Sequence, residues 1–219
     1  MAILRKEFVT QPSAIASYPY TEIREGTGFS LFSGYVTEDD GGLDYHLTTD
    51  NTIYSSVIES IDTDATAPSI DLDFDLSPFN LPQTITGTAT VSFTLVAATQ
   101  ADTTMTALAT VYIRKVPVVG AEEEIVSAIT PTITVAAGST TTKELMTFPL
   151  TIPKTHFKKG EKLRLSVVAV GTRTGGANNI SVLYGHDPRN RDGAVIVPST
   201  DDPDTITKLL FYCPFDIDL

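Results

Sequence analysis

The chain has 219 residues, a formal net charge of −12, a pI near 4.5, and 42% hydrophobic against 19% charged residues. It is too apolar for a disordered chain and too acidic for a nucleic-acid binder, which needs a basic stripe to neutralise phosphate. Its one cysteine, Cys213, cannot close a disulfide within the chain, which fits assembly in a reducing compartment.

The start, MAILRKEFVTQPSA, has charges at Arg5, Lys6 and Glu7 with no apolar run behind them, so it does not read as a secretory signal. No stretch reaches the roughly 18 apolar residues that span a bilayer, and the expectation is a soluble protein that works or assembles inside a cell. Residues 1–25 carry Pro12, Pro19 and the aperiodic apolar residues Ile3, Leu4, Phe8, Val9 and Ile15. They read as an extended N-terminal arm. From Gly28 the punctuation becomes regular. GFSLFSGYVT alternates and stops at the acidic turn EDDGGLD, where Gly41 and Gly42 can take positive φ. YHLTTD and NTIYSSVIESI follow.

Over residues 70–76 the period is strictly two: Ile70, Leu72, Phe74 and Leu76 share one face, and Asp71, Asp73 and Asp75 share the other. A one-residue slip would bury three carboxylates, so the register is predicted to be firm. ITGTATVSFTLVAAT (85–99) and MTALATVYIRKV (105–116) are β-branched and Thr-rich. PVVGAEEEIVSAITP offers the one place for a helical turn, over 121–128, held to two turns by Pro131 and its β-branched neighbours. TITVAAGSTTTKELMTFPLTIP supplies two strands around Gly138. The basic cluster KTHFKKGEKLRL (154–165) reads as a solvated strand entrance, and KLRLSVVAVGT (162–172) is the most apolar strand. ISVLYG, GAVIVPS and TKLLFYCPFDIDL close the chain. About ten short strands at roughly 8–15-residue spacing predict an all-β fold. The expected architecture is an antiparallel two-sheet β-sandwich of jelly-roll type with at most one short helix: a single domain over 26–219 behind the arm.

The densest polar stretch is SVLYGHDPRNRDG, which sets His186, Asp187, Arg189, Asn190, Arg191 and Asp192 between Gly185 and Gly193. As a calcium loop it fails twice. The first ligand position falls on Pro188, and Pro198 stands where the closing glutamate is needed. Arg189 and Arg191 also put positive charge where a cation would sit. The stretch reads as a turn with a polar lock, its arginines pairing with Asp187, Asp192 or another chain. His46, His156 and His186 are far apart in sequence, and one cysteine makes no structural zinc site. Cys213, inside LLFYCPF, reads as a small buried hydrophobe rather than a nucleophile. There is no nucleophile elbow, and GTRTGG (171–176) leads into no helix that would cradle phosphate. Asp39 with Asp40, and Asp201 with Asp202 and Asp204, read as solvated turns. No catalytic, cofactor-binding or metal-ligating residue is assigned, no cofactor is expected, and the chain is expected not to be an enzyme.

Two resemblances accompany this reading. FNLPQTITGTATVSFTL, the strand ending YIRKV, and FPLTIPKTHFKKGEKLRLSVVA resemble the jelly-roll sandwich of galactose-binding-like modules and of the C-terminal domains of some acyl hydrolases. In those, a Lys-Gly turn precedes a core strand of alternating Leu, Arg, Leu. The C-terminal part, LYGHDPRNRDG with a Thr/Asp-rich spacer and a strand ending CPFDIDL, is similar to capsid decoration and other accessory virion proteins of tailed viruses. That resemblance implies a jelly roll, a homotrimer and binding outside a major capsid lattice; it carries over no functional residues.

The expectation is a structural virion protein that decorates or cements a capsid surface after assembly in the host cytoplasm. Its partners would be the major capsid protein or other virion proteins and further copies of itself, with no nucleic acid and no membrane. Residues 1–25 and the 185–193 loop would be the contact elements. The alternative is a carbohydrate-binding sandwich, which would need Tyr35, Tyr45, Tyr54 and Tyr184 grouped at one edge or face; Trp is absent. A third reading is a sandwich domain accessory to a hydrolase.

Overall fold

The computed structural model describes residues 27–39, 41–100, 102–191 and 207–216. They form twelve strands, and no helix occurs among the described residues. In chain order the first six are β1 (Thr27–Asp39), β2 (Gly42–Thr48), β3 (Glu59–Asp64), β4 (Ser69–Asp75), β5 (Gln83–Ala98) and β6 (Thr104–Val116). The remainder are β7 (Glu123–Ile129), β8 (Ile133–Val135), β9 (Thr141–Phe157), β10 (Lys162–Gly175), β11 (Ile180–Gly185) and β12 (Leu210–Asp216).

The strands make one sheet folded over itself into two layers. In the first, β5 pairs with β9 along one edge and shares the other between β12 and β11; β1 joins β12, and β3 joins β11. In the second, β10 lies between β4 and β6, with β7 and β8 on the far side of β6. The β1–β2 hairpin leads from one layer to the other, and β2 meets β4 through a single parallel bridge, His46 to Asp75. Every other pairing is antiparallel. The core between the layers holds Phe74, Phe93, Phe157, Phe211 and Tyr184, all fully buried. The alternation read over 70–76 is present in β4: Ile70 and Phe74 are buried and the aspartates point outward. A slip would expose both apolar side chains, at about 2 kcal/mol each.

The helical turn expected over 121–128 is instead strand β7, paired with β6 through Ile113–Val126 and Arg114–Glu124. The free edge of β6 and the β-branched residues Ile125, Val126 and Ile129 override the helix preference of the Ala-Glu-Glu-Glu run. The strand expected at GAVIVPS and the arm over 1–25 lie outside the described residues.

The two outer faces differ in character. Across the second layer run the aspartates of β4, then Lys162 and Arg164 of β10 and Arg114 of β6. Across the first, Leu31, Tyr212, Thr90 and Pro149 form one row through β1, β12, β5 and β9. The next row is Ser33, Leu210, Ser92 and Thr147. Neither row holds a charge. Within β9, whose strand partner among the described residues is β5, Pro149 and Pro153 stand on what is otherwise a 17-residue edge.

Candidate functional site

Because β2 and β4 share one bridge, they splay apart and leave a cleft of about 600 Å³. Leu43, Asp44, Tyr45 and His46 of β2 form one wall, the three aspartates of β4 the other, and Lys162 with Arg164 of β10 the base. The register makes this charge cluster. Arg164 stands directly opposite Asp75 on one neighbour and Arg114 on the other. Its Nε and Nη2 donate to Asp75 at 2.6 and 3.1 Å, and its Nη1 donates to Asp73 at 2.7 Å and Glu122 at 3.0 Å. Lys162 Nζ donates to Asp75 at 3.2 Å. Arg114 bonds Glu122 at 2.9 Å and lies 4.6 Å over the Tyr112 ring.

Burial works to raise the Asp75 carboxyl, but the Arg164 and Lys162 hydrogen bonds and charges outweigh it and hold the group below its ordinary value. Arg164 is raised in turn, chiefly by its bond to Asp75. The cleft's cations are thus already paired. Asp44 and Asp71 make no hydrogen bond or ion pair among the described residues, so the spare capacity of the cleft is for ligands that donate hydrogen bonds. The signal for this network was present in DLDFD and LRL, but strand neighbours 90 residues apart cannot be paired from alternation alone.

The 185–193 loop is a lock, as the turn reading expected, over its described part. Asp187 is fully buried and accepts from Arg191 N at 2.6 Å, Nε at 3.0 Å and Nη2 at 3.1 Å. Arg191 also reaches the Ser55 carbonyl at 2.8 Å. Asn190 takes the left-handed conformation (φ 54°) that suits it, and its Oδ1 accepts from Thr207 N at 2.8 Å. Gly185 is required because a Cβ there would sit 2.8 Å from Thr207 backbone. His186 is buried among Tyr45, Phe74 and Tyr184. Of the residues expected to make contacts, only Arg189 and Asn190 are exposed, and residues 1–25, Asp192 and Gly193 lie outside the described residues.

Each histidine meets a hydroxyl: His46 with Thr37 at 2.9 Å, His156 with Thr84 at 3.1 Å, His186 with Ser60 at 2.9 Å. No carboxylate bonds the second nitrogen of any of them, so the orienting member of a hydrolytic triad is missing among the described residues. Burial pushes the Cys213 thiol up, which suppresses its thiolate. The four tyrosines do not form one platform. Tyr35 stacks on His46 at 5.0 Å, Tyr45 lines the cleft, Tyr54 lies 3.9 Å under Arg189, and Tyr184 is fully buried.

No family model matches the chain, and no curated protein matches it in sequence. Among solved structures it is similar in fold to an alpha-amino acid ester hydrolase, with a TM-score of 0.50 and 9% identity over 85% of this chain and 36% of that one. An aminopeptidase from a marine sediment archaeon, Thaumarchaeota archaeon, gives 0.48 and 9% over 88% and 37%. The infectious bursal disease virus Gx strain gives 0.26 and 12% over 80% and 40%. The expectation that the chain is not an enzyme is corrected here, because a solved structure similar to it in fold is a hydrolase. At 9% identity the likeness is one of fold, and the chain spans 36% of that hydrolase's length.

Proposed function

We propose that the protein is an accessory structural subunit of a virus particle, a jelly roll that decorates or cements the capsid of a tailed virus through subunit contacts. Its partners are the major capsid protein or other virion proteins, and the expected assembled form is a homotrimer. The carrying observation is the contrast between the outer faces: one carries the ion-pair network of Arg114, Lys162 and Arg164, the other exposes Phe29, Leu31 and Tyr212 to 64%, 40% and 41%. A sandwich that works alone wets both outer faces; one that docks keeps an apolar face for its partner. Co-sedimentation of the purified chain with preformed capsid shells tests the reading. Saturable binding is expected, and its absence, together with turnover of a chromogenic ester by the same preparation, would tie the chain to the hydrolases instead.

A second reading, a carbohydrate-binding sandwich, is favoured by the free acceptors Asp44 and Asp71 beside Tyr45. Calorimetric titration with a glycan panel decides it. Saturable heat lost in Asp71→Ala supports the sugar site, and no heat across the panel removes it.

A further inference from the structure

We propose that Arg189, seated over the exposed ring of Tyr54, is a docking point for a carboxylate side chain of a partner protein. The inference rests on the docking reading above and names one contact within it. Its first ground is the unequal state of two arginines on one ring. The Arg189 guanidinium carbon lies 3.9 Å from the Tyr54 ring centroid, and that of Arg191 lies 5.1 Å from it. Arg191 is committed to Asp187 and the Ser55 carbonyl. Arg189 makes no ion pair among the described residues, and its one hydrogen bond there is a long donation of 3.5 Å from Nη1 to the Thr52 carbonyl. A guanidinium carries five donors, so most of its capacity is open. Arg189 is exposed, and so is Tyr54, to 67%.

The second ground is how firmly the platform is held. Pro188 and Asn190 flank Arg189: the first is buried with its φ fixed by the ring, and the second accepts from Thr207 N through Oδ1 at 2.8 Å. Asp187 N donates to the Thr207 carbonyl at 2.6 Å. On the Tyr54 side, Asp50 accepts from Thr52 N at 2.8 Å, and Ser56 N donates to the Val36 carbonyl at 2.9 Å. A guanidinium already held in place loses little freedom on forming a two-bond pair with a carboxylate.

The chemistry of the occupant follows from charge. With Arg191 paired, the platform offers one guanidinium, whereas a polyphosphate needs several cations and meets the repulsion of −12. A small free carboxylate would gain one exposed ion pair, worth little alone. A partner protein adds burial of Tyr54 to the same pair, and an arginine beside an aromatic ring is the composition of contact hot spots.

NMR of the arginine side chains in the nitrogen-labelled full chain tests this. The probe is a blocked peptide bearing one glutamate beside one leucine, with its glutamine version as control. A saturable shift of the Arg189 Nε–H resonance, assigned by its loss in Arg189→Ala, is expected with the glutamate peptide and not with the glutamine one. Equal responses to the two peptides, or a larger response to inorganic phosphate, overturn the proposal. So does an Arg189 Nε–H already protected from exchange in the free chain, which would place its carboxylate within the chain. Co-sedimentation with preformed shells then compares Arg189→Ala with Arg173→Ala, which removes the same charge from a side chain bonded to the Ala177 carbonyl. Circular dichroism confirms that both fold. Arg189→Ala is expected to bind about tenfold more weakly or worse, and Arg173→Ala as the wild type does. Shells bound equally by the wild type and Arg189→Ala would leave the virion reading standing and this inference lost; a glutamate-dependent shift in a chain that binds no shell would do the reverse.

Discussion

Asp187 is the residue on which most of the 185–191 lock converges. Its carboxylate is fully buried, yet three Arg191 donors and the helpful geometry of a short turn keep it satisfied. Asp187→Ala removes the acceptor of all three and frees Arg191 from Ser55. A loss of about 3 kcal/mol is expected in urea unfolding, and a change below about 1 kcal/mol would show that the lock is ornamental to stability. His186 next door titrates in a useful window. Burial pushes it down to about 4 from 6.5, although its own backbone and Asp187 act the other way. The folded state therefore holds the ring neutral while the unfolded chain takes up a proton below 6.5. Stability is complete above pH 6.5 and falls as pH drops from 6.5 toward 4, by about 3 kcal/mol in all. His186→Gln has no such proton to bind, so its stability is expected to stay flat over that window. Parallel slopes for variant and wild type would assign the acid sensitivity elsewhere.

Among the elements, β4 and β10 are coupled through Arg164, which donates to three carboxylates at once. Arg164→Leu leaves Asp75 with Lys162 alone and is expected to cost about 2 kcal/mol at pH 7. Because Asp75 is held below its ordinary value in the folded state, that stabilisation is present above the unfolded carboxylate pKa and fades as pH falls through the lower folded one. The gap between variant and wild type should therefore close below about pH 4, measured as unfolding midpoints across pH; a gap constant with pH would mean that Arg164 acts by packing. The alternation that made β4 legible in the sequence is local, a matter of seven consecutive residues. The helix-like run at 121–128 misled because its strand state depends on a vacant edge of β6, which no local pattern records. The cleft was illegible for the same reason: it exists because β2 and β4 meet at one bridge. Turn chemistry was enough to identify the 185–191 loop as a lock, but not to show that His186 and Asp187 turn inward.

At the scale of the whole molecule, the net charge gives association a sign. If copies meet through uncharged side chains, added salt screens the long-range repulsion of −12 against −12 and removes no contact. Self-association is then expected to tighten between about 50 and 500 mM sodium chloride, read by sedimentation velocity. Weakening with salt would place ion pairs in the interface and move it toward the Arg114–Arg164 layer.

The prolines of β9 acquire a meaning in this setting. A 17-residue strand paired on one side among the described residues is a template onto which a neighbouring chain can crystallise its backbone. Pro149 and Pro153 deny the template two donors, four residues apart, and so interrupt pairing along the second half of the strand. Copies at high local concentration are then less able to knit their edges into fibrils.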